Sequence, residues 1–300
     1  MLTEIPTADG LSQSGLGYLN LAWADATSLL AEAKQWEELR EHAPEGEDPV
    51  RYHWVRAERR LATCAMLVHQ GAEFLIKARI AAVSPYLLLE SPSSWPGDIA
   101  KADAPFGELK TIDAQYLVRV HDTICTTRLT EPFKVGFEAM RRRRNQIMHG
   151  LGAGVVPSAV NVAMDVLQVS TELLGDGSWP KIRRDYELGD PNANWDHHGQ
   201  IVAGLMFEFD EMIATLPPAE CLRHLGFPKK QRRYLCPRCR TGDVFSGVKL
   251  AVLSPNRPQA DTLFCIACGE SSKVERILCQ KCPGNVTRDG CCLNCGFDGE

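Results

Sequence analysis

Apolar positions recur at helical spacing through most of the first two-thirds of the chain. Residues 15–42, rich in Ala, Leu and Glu, predict a first helix, and the APEGED stretch at 43–48 breaks it. Asp48-Pro49 then supplies an N-cap and a first-turn proline, and Trp54, Leu61, Ala65, Val68, Ala72 and Leu75 follow as one apolar stripe. Carried on to Val83, that helix is about 50 Å long, and Gly71 inside it costs about 1 kcal/mol and marks a candidate bend. Residues 91–109, rich in Pro, Ser and Gly, read as a connecting excursion. Helical patterns resume at 111–126, at 131–149 behind Thr130 and Pro132, at 160–174, and at 200–215 after a long loop over 175–199. No convincing strand is expected before residue 240. These patterns predict an all-α bundle of five or six helices, with no internal repeat, followed by a small module with a short β-hairpin. The boundaries expected are a flexible N-terminus over 1–14, a bundle over 15–216, a basic linker containing Pro217-Pro218 over 217–234, and the module over 235–300.

Composition adds little to this, but its distribution adds more. With 44% hydrophobic and 24% charged residues the 300-residue chain can bury a core, which excludes disordered and low-complexity classes. No uncharged apolar run reaches membrane-spanning length and no secretory signal is readable, so a cytoplasmic protein with no membrane association is expected. The net charge of -5 conceals a split: residues 1–227 carry -10 and residues 228–300 carry +5. Nine of the twelve cysteines lie in the last 65 residues.

Those cysteines form four CxxC pairs. Cys236 and Cys239 precede Cys265 and Cys268 by 25 residues, and Cys279 and Cys282 precede Cys292 and Cys295 by nine. Two residues between thiolates let both sulfurs reach one ion, and two such knuckles complete a four-thiolate shell, so two structural zinc ions are expected. Consecutive pairing makes tandem zinc ribbons, the first with a β-hairpin and the second almost strandless, while a cross-brace remains open. Cys292 rather than its neighbour Cys291 is in register with Cys295, although a swap is not excluded by spacing. Lys229, Lys230, Arg232, Arg233, Arg238 and Arg240 beside the module are either a surface for RNA, DNA or a protein, or a solvated basic connector.

On the helix ending RRRRNQIMHG, Phe137, Met140, Ile147, Met148 and Leu151 share one arc with Arg144 in its middle. A guanidinium on an apolar face needs water, an anion or a carboxylate. Asn145 and His149 are four apart, with Arg142 extending the line. Arginine can hold a phosphodiester, and histidine exchanges protons near neutral pH. The plainer reading is a basic helix surface whose terminal histidine favours the helix dipole.

The segment from Arg144 to Gly150 resembles the R-N-x-x-x-H signature of the HEPN family (higher eukaryotes and prokaryotes nucleotide-binding), and residues 69–90, with Glu73, Lys77 and Arg79, resemble that family's long helix. The likeness covers roughly residues 50–175. It implies a HEPN-like helical bundle, a homodimer with two motifs meeting across a two-fold axis, and RNA as substrate. It further implies metal-independent RNA cleavage, with Arg144 on the phosphate, His149 in proton transfer and Asn145 positioning; Arg142 on the same helix and Lys229, Lys230, Arg232 and Arg233 of the basic patch are expected as weaker substrate contacts. Related ribonucleases often act as toxins or phage-defence effectors, and the resemblance leaves room for an inhibitory or regulatory protein partner. The insertion at 91–109, the four-arginine run and the zinc tail depart from a minimal member. The rival reading is a non-catalytic dimerisation or nucleotide-binding platform whose zinc ribbons bind nucleic acid or a protein.

Other candidates carry less. Asp190, Asn192, Asn194 and Asp196 imitate a calcium loop without its glycine and final glutamate. Asp196, His197 and His198 lack a spaced third ligand. His69, on the long helix, is expected either to reach the motif helix or, as the commoner case for a lone histidine, to be a satisfied core residue, and Cys64, Cys125 and Cys221 are expected as small apolar residues.

Overall fold

The computed structural model describes residues 2–44, 46–91, 103–150, 155–189, 198–240, 247–257 and 259–298. The calcium-like loop, Leu151 and part of the 91–109 excursion lie outside these residues. The chain divides into two compact units, Met1–Leu174 and Gly175–Glu300.

Among the described residues the N-terminal unit holds five α-helices: α1 (Ala8–Glu38), α2 (Pro49–Val83), α3 (Ala114–Ile124), α4 (Glu131–Met148) and α5 (Ala159–Leu174). α1 begins seven residues earlier than the apolar pattern suggests, because Thr7 caps it: its Oγ1 accepts the Gly10 N–H at 3.0 Å. Half of the expected flexible start, residues 8–14, is therefore helix. Two short strands, β1 (Leu2–Thr3) and β2 (Ala104–Pro105), pair in parallel, which places strand ahead of residue 240 and ties the chain start to the 91–109 excursion. The described end of that excursion is built into the unit, with Phe106 and Leu109 buried.

α2 forms as expected. Asp48 Oδ1 accepts the N–H groups of Val50 and Arg51, Pro49 occupies the first turn, and helix runs through Gly71 to Val83. α1 and α2 lie antiparallel, as the pairing of Gly15 with Gly71 and of Leu29 with His53 shows. Leu19, Trp23, Leu29, Leu61, Val68, Ala72 and Ile76 are buried between them and α5, which contributes Val162, Val166 and Leu167. Sides of this size bury about 1.5–3 kcal/mol each, so this three-helix core supplies most of the unit's cohesion.

Among the described residues the C-terminal unit contains three more α-helices, α6 (Trp179–Leu188), α7 (His198–Thr215) and α8 (Pro218–Leu225). This corrects three expectations: 175–199 is not all loop, 217–234 is not all linker, and the bundle does not continue to 216. α6 escapes the periodic pattern because its inward face carries Arg183, 2% exposed, which bonds Glu208 of α7 at 2.8 and 2.9 Å and also pairs with Glu187. α8 starts at the proline taken for a boundary, since proline suits a first helical turn, and it ends at Gly226 in a left-handed conformation. The helices belong with the cysteine module: Arg184 of α6 donates to the carbonyls of Ile266 and Ala267, and Arg233 pairs with Asp210 of α7 at 3.1 Å.

The module carries an antiparallel sheet, β3 (Ala251–Leu253), β4 (Thr262–Cys265) and β5 (Ser271–Lys273) in that order, and a second pair, β6 (Thr287–Arg288) with β7 (Cys291–Cys292). The two halves interlock through Leu235 N–H to Leu293 O at 2.7 Å and through a bridge between Glu275 and Thr287. Among the described residues no helix is long and apolar enough to cross a membrane.

Candidate functional site

α4 is fixed at its start by Thr130, whose Oγ1 accepts the Phe133 N–H while Glu172 of α5 receives both the Thr130 N–H and hydroxyl. Phe133, Phe137 and Met140 point inward, and Met148 is 59% exposed, so the expected apolar arc is buried only in its first half. The four arginines then fan apart. Arg141 and Arg142 both bond Glu138, and Arg141 chiefly holds that carboxyl at about 2. Arg143 reaches Asp165 of α5 at 2.7 Å, where burial raises the carboxyl against the pull of the guanidinium. Arg144 donates to Asn145 Oδ1 at 3.0 Å and, alone of the four among the described residues, meets no carboxylate.

Arg144 and Asn145 line a polar cavity of about 390 Å³, together with Arg141, with His69, Glu73 and Lys77 of α2, and with residues 111–115 leading into α3. The α2 residues recur every four positions and so share one face. Glu73 and Lys77 are paired at 2.7 Å. His69 stacks on Phe137, ring centroids 5.4 Å apart, and is 2% exposed with both ring nitrogens unpartnered. Such a group costs about 1–3 kcal/mol relative to a satisfied one. Burial pushes its imidazole below the ordinary histidine value; Glu73 opposes that, and Arg144 and Arg141 add to it. Of the two readings of His69, the structure departs from the satisfied core residue and agrees with contact to the motif helix, through Phe137 of α4. In sequence it is marked only by its line with Glu73 and Lys77, every fourth residue of α2.

His149 is the C-cap of α4, exposed, its N–H bonded to the Asn145 carbonyl at 3.0 Å. It does not line the cavity; the fold brings Arg144 and Asn145 together with His69 instead. Arg142, 73% exposed in its side chain, lines a separate groove with Lys134, Arg143 and Gln146.

The C-terminal unit brings the eight predicted cysteines into two groups, Cys236, Cys239, Cys265 and Cys268, and Cys279, Cys282, Cys292 and Cys295, each with its sulfurs within 4.8 Å of one another. Pairing is therefore consecutive. Sulfurs about 2.3 Å from one ion at tetrahedral angles stand about 3.8 Å apart. The observed separations fit: 3.7 Å for Cys236–Cys268, 3.8 Å for Cys239–Cys265, 3.8 Å for Cys279–Cys295 and 3.7 Å for Cys282–Cys292. Backbone and amide donors support the second group, with Gly284 N–H at 3.3 Å and Asn294 Nδ2 at 3.2 Å from the Cys282 sulfur. Cys291 stays outside it, its sulfur accepting from the Arg240 guanidinium, which also grips Asp298. Both groups can hold a metal ion.

The basic segment beside them is partly consumed internally. Lys229 donates to the carbonyls of Ala214 and Leu216 at the end of α7, and Arg233 is paired with Asp210, whereas Lys230 and Arg232 stay exposed, with Arg232 reaching Pro283 O at 3.4 Å. Cys64 and Cys221 are buried. Burial first, and then Asp25, push the Cys64 thiol up to about 12, which fits the inert role expected of it. Comparison with protein-family models, curated proteins and solved structures finds no match to this chain.

Proposed function

We propose that the N-terminal unit is a HEPN-type, metal-independent endoribonuclease, and that the C-terminal module is a pair of structural zinc sites. The observation that carries the first part is Arg144: in a run of four arginines it is the one left without a carboxylate, at the lip of a polar cavity and bonded to the adjacent Asn145. An unneutralised guanidinium suits a phosphodiester, which it binds through two parallel hydrogen bonds. In the proposed reaction the RNA 2′-oxygen forms a bond to the neighbouring phosphorus as the bond from phosphorus to the 5′-oxygen breaks. A base takes the 2′-hydroxyl proton and an acid protonates the departing 5′-oxygen, leaving a 2′,3′-cyclic phosphate and a 5′-hydroxyl. His149, exposed at the helix end, is assigned to proton transfer. Exposed Met148 fits a homodimer that sets a second copy of α4 beside the first.

The four-thiolate groups supply closed shells with no position for water, so zinc there would hold the module together rather than take part in chemistry. The test is incubation of a mixed RNA pool with wild type and His149→Ala, no divalent metal added, and analysis of the 3′ ends. Cyclic ends from wild type that disappear in a folded His149→Ala protein support the ribonuclease. No cleavage by wild type over a broad RNA set removes it. The second reading, a binding platform, is favoured by one observation: the cavity contains Arg144 and Asn145 but not His149.

A further inference from the structure

A helix holds the second knuckle of the first cysteine group from outside. Half-buried Arg184 of α6 points its Nη1 at the carbonyl oxygens of Ile266 and Ala267, at 3.2 and 3.4 Å. These are the two residues between Cys265 and Cys268, and both are buried, where a carbonyl needs a donor from the protein. The guanidinium lies against Gly269, the residue that follows Cys268: a Cβ there would run into it. Gly269 has the left-handed backbone, φ +71°, that a glycine adopts without cost, and its N–H closes the knuckle on the Cys265 carbonyl at 2.9 Å. A cation suits this place, because four thiolates around a divalent ion leave a formal charge of about −2. One residue earlier, buried Arg183 bonds Glu208 of α7, so α6 is anchored independently of the knuckle that Arg184 grips.

We propose that Arg184 is a positioning residue of the first metal group: it holds the Cys265–Cys268 knuckle in its ligating shape, raises that group's affinity for its ion, and through the same contact lets the bound ion stabilise α6. The inference deepens the metal reading of the C-terminal module and rests on it; it is independent of the ribonuclease. The effect on α6 is the reciprocal of the effect on affinity, since two sites coupled through one contact shift each other's free energy equally. Outer groups that orient metal ligands contribute about 10–100-fold in affinity.

The experiment compares wild type, Arg184→Met and Arg184→Lys as full, zinc-loaded chains. Zinc is withdrawn with increasing chelator, the freed thiols are alkylated and located by peptide mass spectrometry, and amide hydrogen exchange over Trp179–Leu188 is followed in the same series. Arg184→Met is expected to free Cys236, Cys239, Cys265 and Cys268 at chelator concentrations at least about tenfold below those of wild type, with a smaller shift at the second group. Arg184→Lys keeps the charge without the guanidinium fork and should fall between them. Exchange in α6 should quicken as the first group empties in wild type and depend less on metal in Arg184→Met; a side chain that only packs would lower stability without removing that dependence. Should Arg184→Met not fold, the lysine variant and the wild-type exchange series decide the matter. First-group release unchanged by the substitutions overturns the proposal, as do equal shifts at both groups or α6 exchange in wild type that ignores metal. A chain that takes up no zinc removes the metal reading and this proposal with it, whereas zinc held equally well by the variants removes this proposal alone.

Discussion

Gly15 and Gly71 stand opposite each other where α1 crosses α2. A Cβ on Gly71 would lie 3.0 Å from the Gly15 carbonyl oxygen and 2.8 Å from Leu19 Cδ2, and one on Gly15 would lie 3.0 Å from the Gly71 carbonyl oxygen. Helix propensity alone says that alanine at 71 should stabilise by about 1 kcal/mol. Contact with a backbone oxygen and a fully buried leucine says the reverse, with overpacking worth about 1–3 kcal/mol. Gly71→Ala is therefore expected to lower stability, by about 1 kcal/mol net, in urea unfolding of the chain. A gain instead would mean that the helices part without cost.

Arg183→Ala should damage the C-terminal unit more severely. The substitution leaves Glu208 and Glu187 facing a site from which their cation has gone, and removing one partner of a buried ionic group costs about 3–5 kcal/mol. Chemical denaturation should show the loss, and Arg183→Lys should recover only part of it because lysine cannot reproduce the two-nitrogen grip on Glu208.

Asp122 gives the N-terminal unit a measurable acid sensitivity. Desolvation raises this carboxyl, but bonds from Lys134 Nζ, the Leu129 N–H and His121 outweigh it and hold the group at about 2. Because the folded value lies below the unfolded one, its contribution is complete above about pH 4 and fades as pH falls toward 2, on the order of 2 kcal/mol in all. The stability gap between wild type and Asp122→Asn should accordingly be constant at neutral pH and shrink across that acid window. A gap that does not change between pH 5 and about 2 would show that Asp122 keeps its ordinary value in the fold.

The metal sites predict a sharp contrast between adjacent cysteines. Cys292→Ser should release metal from the second group, whereas Cys291→Ser should keep both ions, since only the former places its sulfur among the other three. Elemental analysis of the purified variants checks this and identifies the metal. Equal loss from both substitutions would assign Cys291 to the shell.

What the sequence discloses follows the physics of each element. α2 is legible because its cap, its first-turn proline and its apolar stripe agree, and the eight sulfurs are legible because two-residue spacing is dictated by the ion itself. α6 is hidden because its buried position is an arginine, so the periodic apolar signal is interrupted where packing is tightest. Lys229 and Arg233 look like free charge in one dimension; only the fold reveals that α7 supplies the carbonyls and Asp210 that bind them. For the cavity, Arg144 and Asn145 are conspicuous in the motif and His69 stands in line with Glu73 and Lys77, while the start of α3 enters through long-range packing that no local pattern records.

The interlocking of the two cysteine groups bears on how the module responds to scarce metal. Leu235 precedes the first knuckle and bonds the carbonyl of Leu293 inside the second, and Glu275 bridges to Thr287 between them, so neither shell can lose its ion without loosening strands the other depends on. With metal in both groups, binding and folding of the two halves would be linked. A chain emptied at the second group by Cys292→Ser should therefore hold metal at the first group less tightly than wild type does, because the contacts that join the halves loosen with it.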